Sequence, residues 1–580
     1  MNCSILCKCI TLLLYITLCS LSHSIHAQIT GWIYFSDKGQ EVWDPKSVFT
    51  EAAIERRSRL GIEFNELDKP ISNNYLSAVN QYADSVHGVS KWLNGAVITC
   101  SEANWSAISK LKFVAKMDTT AYNGIAFMPC SYDSPKDTLS YSEIVSVETA
   151  KKQMQGDCFQ SKNISGQNVI IAILDAGFKG VSSGSAFKNI REKNKIIATR
   201  DFINPRSKSI YAYSTHGARV LSCIAGETDT VSFGLGTSAK FILARVTPQF
   251  GGFRSLNDAQ WIAALEWADE QGASLVNSSL SFTTQLFSRA EMDGVSARIS
   301  KVAGSAAERG IVIVNSAGNE YDGDWEIIGA PADALDILTI GSISPFTFLQ
   351  SNFSSIGPTA DGRMKPDLCA IGELYVADEH FEFAQGTSFA TPLVTGFVAC
   401  VQELHPEWNA YEVMDAMRKS GHLHPYFDYA HGYGVPQASY FIKEQNIGDT
   451  TLHFLKKNFT HCELNASDSI HHELTFCFSD DSLVYRDYET IIENSDLGLS
   501  EQLNVYVSVL DEIGKLKSFG FNRLQAEFRN GTDSYRSEDE APEDFDYFFG
   551  LMNLNLPKCE TCSLRIHFLN EIINLPFSNE

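Results

Sequence analysis

Three side chains that together can support nucleophilic catalysis stand at the ends of apolar segments: Asp175, His216 and Ser388. Asp175 follows the apolar run 169–174, His216 opens a segment with the pattern of a helix start, and Ser388 lies just before the apolar run 393–404. A carboxylate, an imidazole and a hydroxyl are the groups with which enzymes activate a serine. Each one alone has a simpler interpretation, since Asp is common in turns, His in structural hydrogen bonds and Ser in helix caps.

Asn319 is a fourth candidate, because it follows the apolar run 311–314 and carries an amide donor. Such a donor stabilises the charge that develops on oxygen when a nucleophile attacks a carbonyl. Gly386 allows close backbone approach beside Ser388, and Pro392 is compatible with the first turn of the helix predicted after it. A hydroxyl at the positive end of a buried helix is well placed as a nucleophile. The joint occurrence of Asp, His, Asn and Ser in this order is much harder to attribute to chance than any one of them.

The elements that must position these residues are short apolar strands alternating with helices between residues 167 and about 440. This pattern predicts an α/β fold, a parallel sheet with helices on both faces, whose catalytic residues gather at the carboxyl ends of the strands. The clearest helices are 261–268 and 393–404, and the second is apolar on nearly all sides, which predicts a buried position. The predicted strands are 169–174, 241–244, 275–276, 311–314 and 337–340.

In this region the sequence resembles the subtilisin-like serine endopeptidases, or subtilases, over about half of its 580 residues. The most specific block is GTSFATP, and its combination with the other blocks in family order makes an accidental similarity very improbable. The blocks are AILDAG at 172–177, THGARVLSCIAG at 215–226, NSSLS at 277–281, NSAGNE at 315–320, SNFSSIGP at 351–358, KPDL at 365–368 and GTSFATP at 386–392.

The resemblance implies a role for each candidate residue. Ser388 attacks the scissile carbonyl, His216 takes its proton and later returns it to the leaving amine, and Asp175 orients the imidazole. Asn319, with the backbone N–H of Ser388, holds the oxyanion. The stretch Ser279, Leu280 and Ser281 matches the family's substrate-binding strand, which pairs with the peptide backbone.

Several positions depart from the family pattern. The family usually has Gly where Ser281 stands, so we expect a narrower entrance to the primary specificity pocket. Arg219 and Phe389 also differ from the commoner residues, and all these changes concern substrate preference rather than proton transfer. The chemistry requires no cofactor. Calcium often stabilises the family, but two loop carboxylates, Asp322 and Asp324, are more typical of a solvated turn, so no metal site is assigned.

The flanking segments complete a five-part organisation. The strand and helix order of residues 28–118, and their position, predict a small α+β inhibitory propeptide, followed by a polar linker and processing region at 119–150. Cleavage is expected between Met117 and Ala150. The peptidase domain then covers 151–445, and alternating segments predict a β-rich domain of unknown role at 446–580.

Composition and the N-terminus indicate the compartment and the partners. Residues 1–27 combine a basic start, an apolar run and a small residue at the expected cut, which predicts a secretory signal; an uncleaved membrane anchor is the alternative. After signal removal we expect a secreted or cell-envelope protein with no membrane span. The formal net charge of −24, from 46 basic and 70 acidic residues, disfavours nucleic acid as a partner.

The cysteines give weaker signals. Ten of the 14 lie beyond residue 27, and their spacing does not determine a disulfide connectivity. Cys559 and Cys562 form a single CxxC, which favours a local disulfide or free thiols over a zinc site. Cys223, in the His216 block, is interpreted as buried packing, with thiol sensitivity as the alternative.

The sequence therefore predicts a secreted serine endopeptidase, made as a zymogen, that cleaves protein or peptide substrates and has its own propeptide as an intramolecular inhibitor. A catalytically silent subtilase fold used for binding is the main alternative. Hydrolysis of a non-peptide ester or amide by the same residues is a third interpretation.

Overall fold

The computed structural model describes residues 28–119, 131–132, 135–248, 257–283, 287–321, 323, 325–345, 348–442 and the C-terminal strands given below. The expected signal peptide, 1–27, lies outside the described residues. The chain divides into two compact units: one comprises the described parts of 1–45 and 64–122, and the other those of 46–63 and 123–580.

The first unit is a four-stranded antiparallel sheet with the strand order β2-β3-β1-β4 and two helices. Ser72 and Ser101 begin these helices by accepting hydrogen bonds from backbone N–H groups, and Ile33, Ile98 and Ile108 lie in the core. The strands are β1 (Gln28–Phe35), β2 (Ser85–Ser90), β3 (Gly95–Ser101) and β4 (Val114–Thr119), and the helices are α2 (Asn73–Asn80) and α3 (Glu102–Ile108). The preceding helix, α1 (Glu51–Arg59), belongs to the second unit.

The centre of the second unit is a seven-stranded parallel sheet with the order β12-β11-β10-β9-β6-β8-β7. This confirms the predicted α/β fold. The strands are β6 (Ile170–Asp175), β7 (Ile196–Asp201), β8 (Lys240–Arg245), β9 (Leu275–Ser278), β10 (Val312–Ser316), β11 (Leu338–Ile343) and β12 (Leu368–Ile371).

The helices of this unit differ in how many of their residues are buried. The longest is α10 (Thr387–Leu404), in which every residue from 387 to 401 is buried. Such burial requires the small and apolar side chains that this segment supplies. The other helices are α4 (Tyr141–Lys152), α5 (Gly156–Ser161), α6 (Lys188–Glu192), α7 (His216–Ala225), α8 (Asn257–Glu270), α9 (Arg298–Gly304) and α11 (Ala410–Lys419).

The region 119–150, which the sequence suggests is a linker, contains ordered elements. Ser140 and Glu143 form a capping box that begins α4. A short strand, β5 (Ser131–Tyr132), pairs with β14 (Phe381–Gln385), which in turn pairs with β13 (Glu373–Ala377). This small sheet leads directly into α10.

The described C-terminal residues are all in strands, in two antiparallel sheets with the orders β15-β16-β21-β19-β20 and β18-β17-β22-β23. The second sheet contacts the part of this unit that holds the parallel sheet: Tyr506 Oη donates to Gln350 Oε1 at 3.2 Å. Cys562 is disulfide-bonded, so the described structure gives no support to a zinc site there. The strands are β15 (Phe459–Ala466), β16 (His471–Ser479), β17 (Asn504–Leu510), β18 (Leu516–Arg523), β19 (Gln525–Asn530), β20 (Asp533–Arg536), β21 (Tyr547–Asn555), β22 (Cys559–Phe568) and β23 (Glu571–Asn579).

Among the described residues, the helices are all too short or too polar to cross a membrane.

Candidate active site

Asp175 and His216 are in direct contact at the carboxyl edge of the large sheet. Asp175 ends β6 and is fully buried, and His216 is the first residue of α7. His216 Nδ1 lies 2.8 Å from Asp175 Oδ1 and 3.0 Å from Oδ2. Because an ionised carboxylate only accepts hydrogen bonds, this contact requires a proton on Nδ1, and in the neutral imidazole the lone pair is then on Nε2. This is the tautomer that a general base requires.

Backbone contacts hold the Asp175 turn against the start of α7. Gly217 N donates to Gly177 O at 3.0 Å, and Lys179 N donates to Ser214 O at 3.0 Å. Gly177 has φ +151°, and a Cβ there would lie 2.7 Å from Ser214 N. Glycine is therefore needed for the two segments to approach closely enough for the Asp175 contact.

Ser388 is the second residue of α10, and its neighbour Phe389 packs its ring 5.8 Å from the His216 ring. The helix begins earlier than the sequence suggests, so Pro392 lies in the second turn and not in the first. Proline has no N–H to donate to the carbonyl four residues back, which is that of Ser388. Ser279 Oγ donates to this carbonyl instead, at 2.9 Å. The proline therefore leaves a backbone acceptor that joins the Ser388 turn to the segment after β9.

Asn319 is fixed by the residue that precedes Ser388. Its Oδ1 accepts from Thr387 N at 2.8 Å and from Thr387 Oγ1 at 2.7 Å. Two donors identify this atom as the amide oxygen and set the orientation of the side chain. The donor end of the amide is thereby held in one orientation at the start of α10.

The segment Ser279–Ser281 follows β9, whose neighbours in the sheet are β6 and β10. Leu280 O accepts from Asn315 Nδ2 at 3.1 Å, and Ser388 Oγ lies 3.3 Å from Ser279 O. Ser281 Oγ is buried and has no hydrogen-bond partner among the described residues. A Cβ added to Gly329 would collide with this hydroxyl, so Ser281 occupies space beside Gly329.

Two family descriptions match the chain, one over the residues that form this site and one before them. The subtilase family, peptidase S8, matches residues 166–434, and the peptidase S8 propeptide domain of Bacteroidota matches residues 30–133. The chain carries a subtilase peptidase domain. This domain is a serine peptidase domain, and a propeptide domain precedes it in the chain.

Known proteins give the same result for the subtilase domain. Subtilisin NAT of Bacillus subtilis subsp. natto is 25% identical over 333 residues, which are 57% of this chain and 76% of that protein. M-protease of Shouchella clausii is 24% identical over 388 residues, 64% of this chain and 89% of that protein. The crystal structure of the epidermin leader peptide processing serine protease from Staphylococcus aureus covers 72% of this chain and 99% of its own, with 15% identity and a TM-score of 0.50, a likeness of fold.

Two contributions to the subtilase site were not assigned from the sequence. Thr387 orients Asn319, and Ser279 holds the Ser388 carbonyl through its side chain. The signal for Thr387 was its place in the GTSFATP block. Cys223 is fully buried, and burial raises the pKa of its thiol to about 12, which favours packing over reactivity.

Metal-ligand side chains come together once among the described residues, at Asp428, His431 and His567. Each imidazole Nδ1 lies 3.0 Å from an oxygen of the Asp428 carboxylate. His431 Nε2 accepts from Gln350 N at 3.0 Å, so its Nδ1 carries the proton and donates to Asp428. These contacts describe a hydrogen-bonded network, and we assign no metal to it. Asp322 and Asp324 lie outside the described residues.

Proposed function

We propose that the protein is a secreted serine endopeptidase, made as a zymogen, in which Asp175, His216 and Ser388 hydrolyse peptide bonds. The observation that carries the proposal is the contact of His216 Nδ1 with Asp175, at 2.8 and 3.0 Å, beside the start of α10. Export is supported by the signal-like composition of residues 1–27. The zymogen is supported by the match of residues 30–133 to a propeptide domain.

In the acylation step Ser388 Oγ attacks the substrate carbonyl and transfers its proton to His216 Nε2. The imidazolium that forms is stabilised by the Asp175 carboxylate, and it then donates its proton to the leaving amine. Water attacks the acyl-enzyme in the second half of the reaction, again with His216 as the base. There His216 takes a proton from the attacking water and passes it to Ser388 Oγ as the ester bond to the acyl group breaks, which restores the free serine.

We assign the stabilisation of the negative oxygen of the tetrahedral intermediate to two hydrogen-bond donors, Asn319 Nδ2 and the backbone N–H of Ser388. The fixed amide oxygen of Asn319 supports this assignment, because it orients the opposite, donating end without reorganisation during the reaction. The helix dipole of α10 adds favourable potential at the same place. We assign substrate binding to the segment Ser279–Ser281. Pairing there involves the main chain of the bound peptide, so it is compatible with many substrate sequences.

A substrate panel tests the proposal. Processed protein is incubated with an unfolded protein such as casein and, in parallel, with small amide and ester substrates. We expect cleavage at internal positions of the protein chain, read by mass spectrometry, together with ester turnover. Ester turnover without any peptide cleavage would indicate a non-peptide hydrolase, and inactivity of a folded, processed chain would favour the silent binding protein.

Asn319→Ala is expected to lower kcat by about 10²–10³ while KM changes by less than about threefold. The reason is that an oxyanion donor acts on the transition state and not on the bound substrate. The measurement is steady-state kinetics on one peptide substrate. Thr387→Ser is the matched control, since it keeps the hydroxyl that donates to Asn319 Oδ1. A raised KM with unchanged kcat would contradict the assignment.

A further inference from the structure

Helix α1 belongs by sequence to the propeptide but by packing to the peptidase unit. It lies within residues 30–133, which match the propeptide description. Residues 46–63 nevertheless form one compact unit with the described residues of 123–580. The contacts of this segment therefore show how part of the propeptide is held by the peptidase domain.

The main contact is an ion cluster around Asp269, near the end of α8. Arg57 Nη2 lies 2.8 Å from Asp269 Oδ2, and Arg56 pairs with Asp269 Oδ1. Arg56 also donates to the carbonyl of Ala273. Asp269 is 0% exposed and Arg57 is 1% exposed. Removing the arginines or the aspartate leaves a buried charge without compensation, so loss of this contact is strongly destabilising.

Further contacts surround the cluster and fit α1 closely. Thr50 N donates to Glu270 O at 2.9 Å, and Arg59 Nε donates to Pro406 O at 3.1 Å. Gly272 has φ +93°, and a Cβ there would lie 2.9 Å from Ala52 Cβ. The peptidase surface is thus shaped for the backbone of this helix as well as for its charge.

The peptidase surface that contacts α1 is remote from the proposed catalytic residues, so α1 does not itself block them. Asp269 and Ala273 precede β9, whereas Ser279 follows it. The surface is therefore at the amino edge of the parallel sheet, and the catalytic residues are at the carboxyl edge. The four residues of β9 alone separate the two by about 10 Å.

We propose that α1 is a retention anchor: after cleavage, Arg56 and Arg57 keep the propeptide bound to Asp269, at an exosite remote from the catalytic residues. This proposal depends on the proposed function in one respect only, namely that the propeptide is cleaved from the peptidase domain. Attachment at a second point raises the effective concentration of the remaining propeptide near the enzyme and slows its escape. Release of free enzyme then depends on loss of this ion cluster.

The test uses the full chain with Ser388→Ala and a recognition sequence for an exogenous protease placed within residues 120–130, so that the cut does not depend on the chain's own activity. The dissociation constant of the cut propeptide is measured by dilution and size-exclusion chromatography. Asp269→Ala is expected to weaken binding by about 100-fold or more. An inactive enzyme would contradict the proposed function, but it would not affect this measurement of propeptide binding.

Asp258→Ala is the matched control. Asp258 is a buried acid on the same helix, and it pairs with Arg298 of the peptidase domain at 3.3 Å. We expect this variant to lose stability but to retain the propeptide. The double change Arg56→Met and Arg57→Met, which leaves the peptidase sequence intact, is expected to release it as Asp269→Ala does. Equal retention by the Asp258→Ala variant and both anchor variants would overturn the proposal.

Discussion

Ser388→Ala is expected to lower the turnover of a peptide substrate on the order of 10⁶-fold, because it removes the hydroxyl proposed to form the acyl-enzyme. Labelling by a fluorophosphonate probe, which reacts with activated serines, is expected to disappear at the same time. The folded structure is not expected to change, since the side chain of Ser388 makes one long hydrogen bond, 3.3 Å to Ser279 O. Kinetics, labelling and thermal unfolding measure the three effects.

Ser300→Ala is the control for this experiment. Ser300 is also buried, and it donates to Asp333 away from the proposed site. This variant is expected to keep its labelling with the probe. Labelling that survives in the Ser388→Ala protein would identify another nucleophile. A folded and processed wild-type chain that is never labelled would favour the binding protein without catalysis.

Much of the sheet could be predicted from the sequence, because a strand covered on both faces must be apolar along its whole length. The run 169–174 corresponds to β6 (Ile170–Asp175), with a shift of one residue. The helix α4 was not predicted, because its capping box, Ser140 with Glu143, lies in a polar stretch that resembles a linker. Polar composition and helix caps use the same residues, so composition alone does not separate them.

The spatial relations of the site depend on contacts between distant positions. Asp175 and His216 are 41 residues apart, and their contact is set by β6 and α7 together with the Gly177 turn. The family resemblance indicated this pair, whereas spacing alone did not. The anchor shows the same limit more strongly: Arg56 and Arg57 stand side by side in the sequence, but their partner Asp269 is 212 positions from Arg57. No local pattern records such a pairing.

Asp175→Asn is expected to lower kcat by about 10⁴ with a small change in KM. Asp175 Oδ1 accepts from Ala176 N at 2.6 Å, so the oxygen of an asparagine is expected to keep this bond. Its NH₂ group then takes the place of Oδ2, which is 3.0 Å from His216 Nδ1. A donor at this position favours the tautomer in which Nδ1 accepts and the imidazole proton is on Nε2, at the expense of the contact between Nδ1–H and Oδ1, which are 2.8 Å apart. His216 in that tautomer has no lone pair with which to take the proton of Ser388.

Asp201→Asn separates this tautomer effect from the general cost of changing a buried acid. Asp201 is buried and pairs with Arg245 at 3.0 Å, and it contacts neither His216 nor the Ser388 turn in any hydrogen bond described. It is expected to lower the unfolding temperature but to leave kcat within about threefold, because the Asp201 carboxylate does not contact the reacting groups and Arg245 keeps its own hydrogen bond from Nε to Ala176 O. Equal losses of kcat in the two variants would show that Asp175 acts by supporting the fold. A loss confined to Asp175→Asn, with normal binding of substrate, would mean that its carboxylate acts through the proton position on His216.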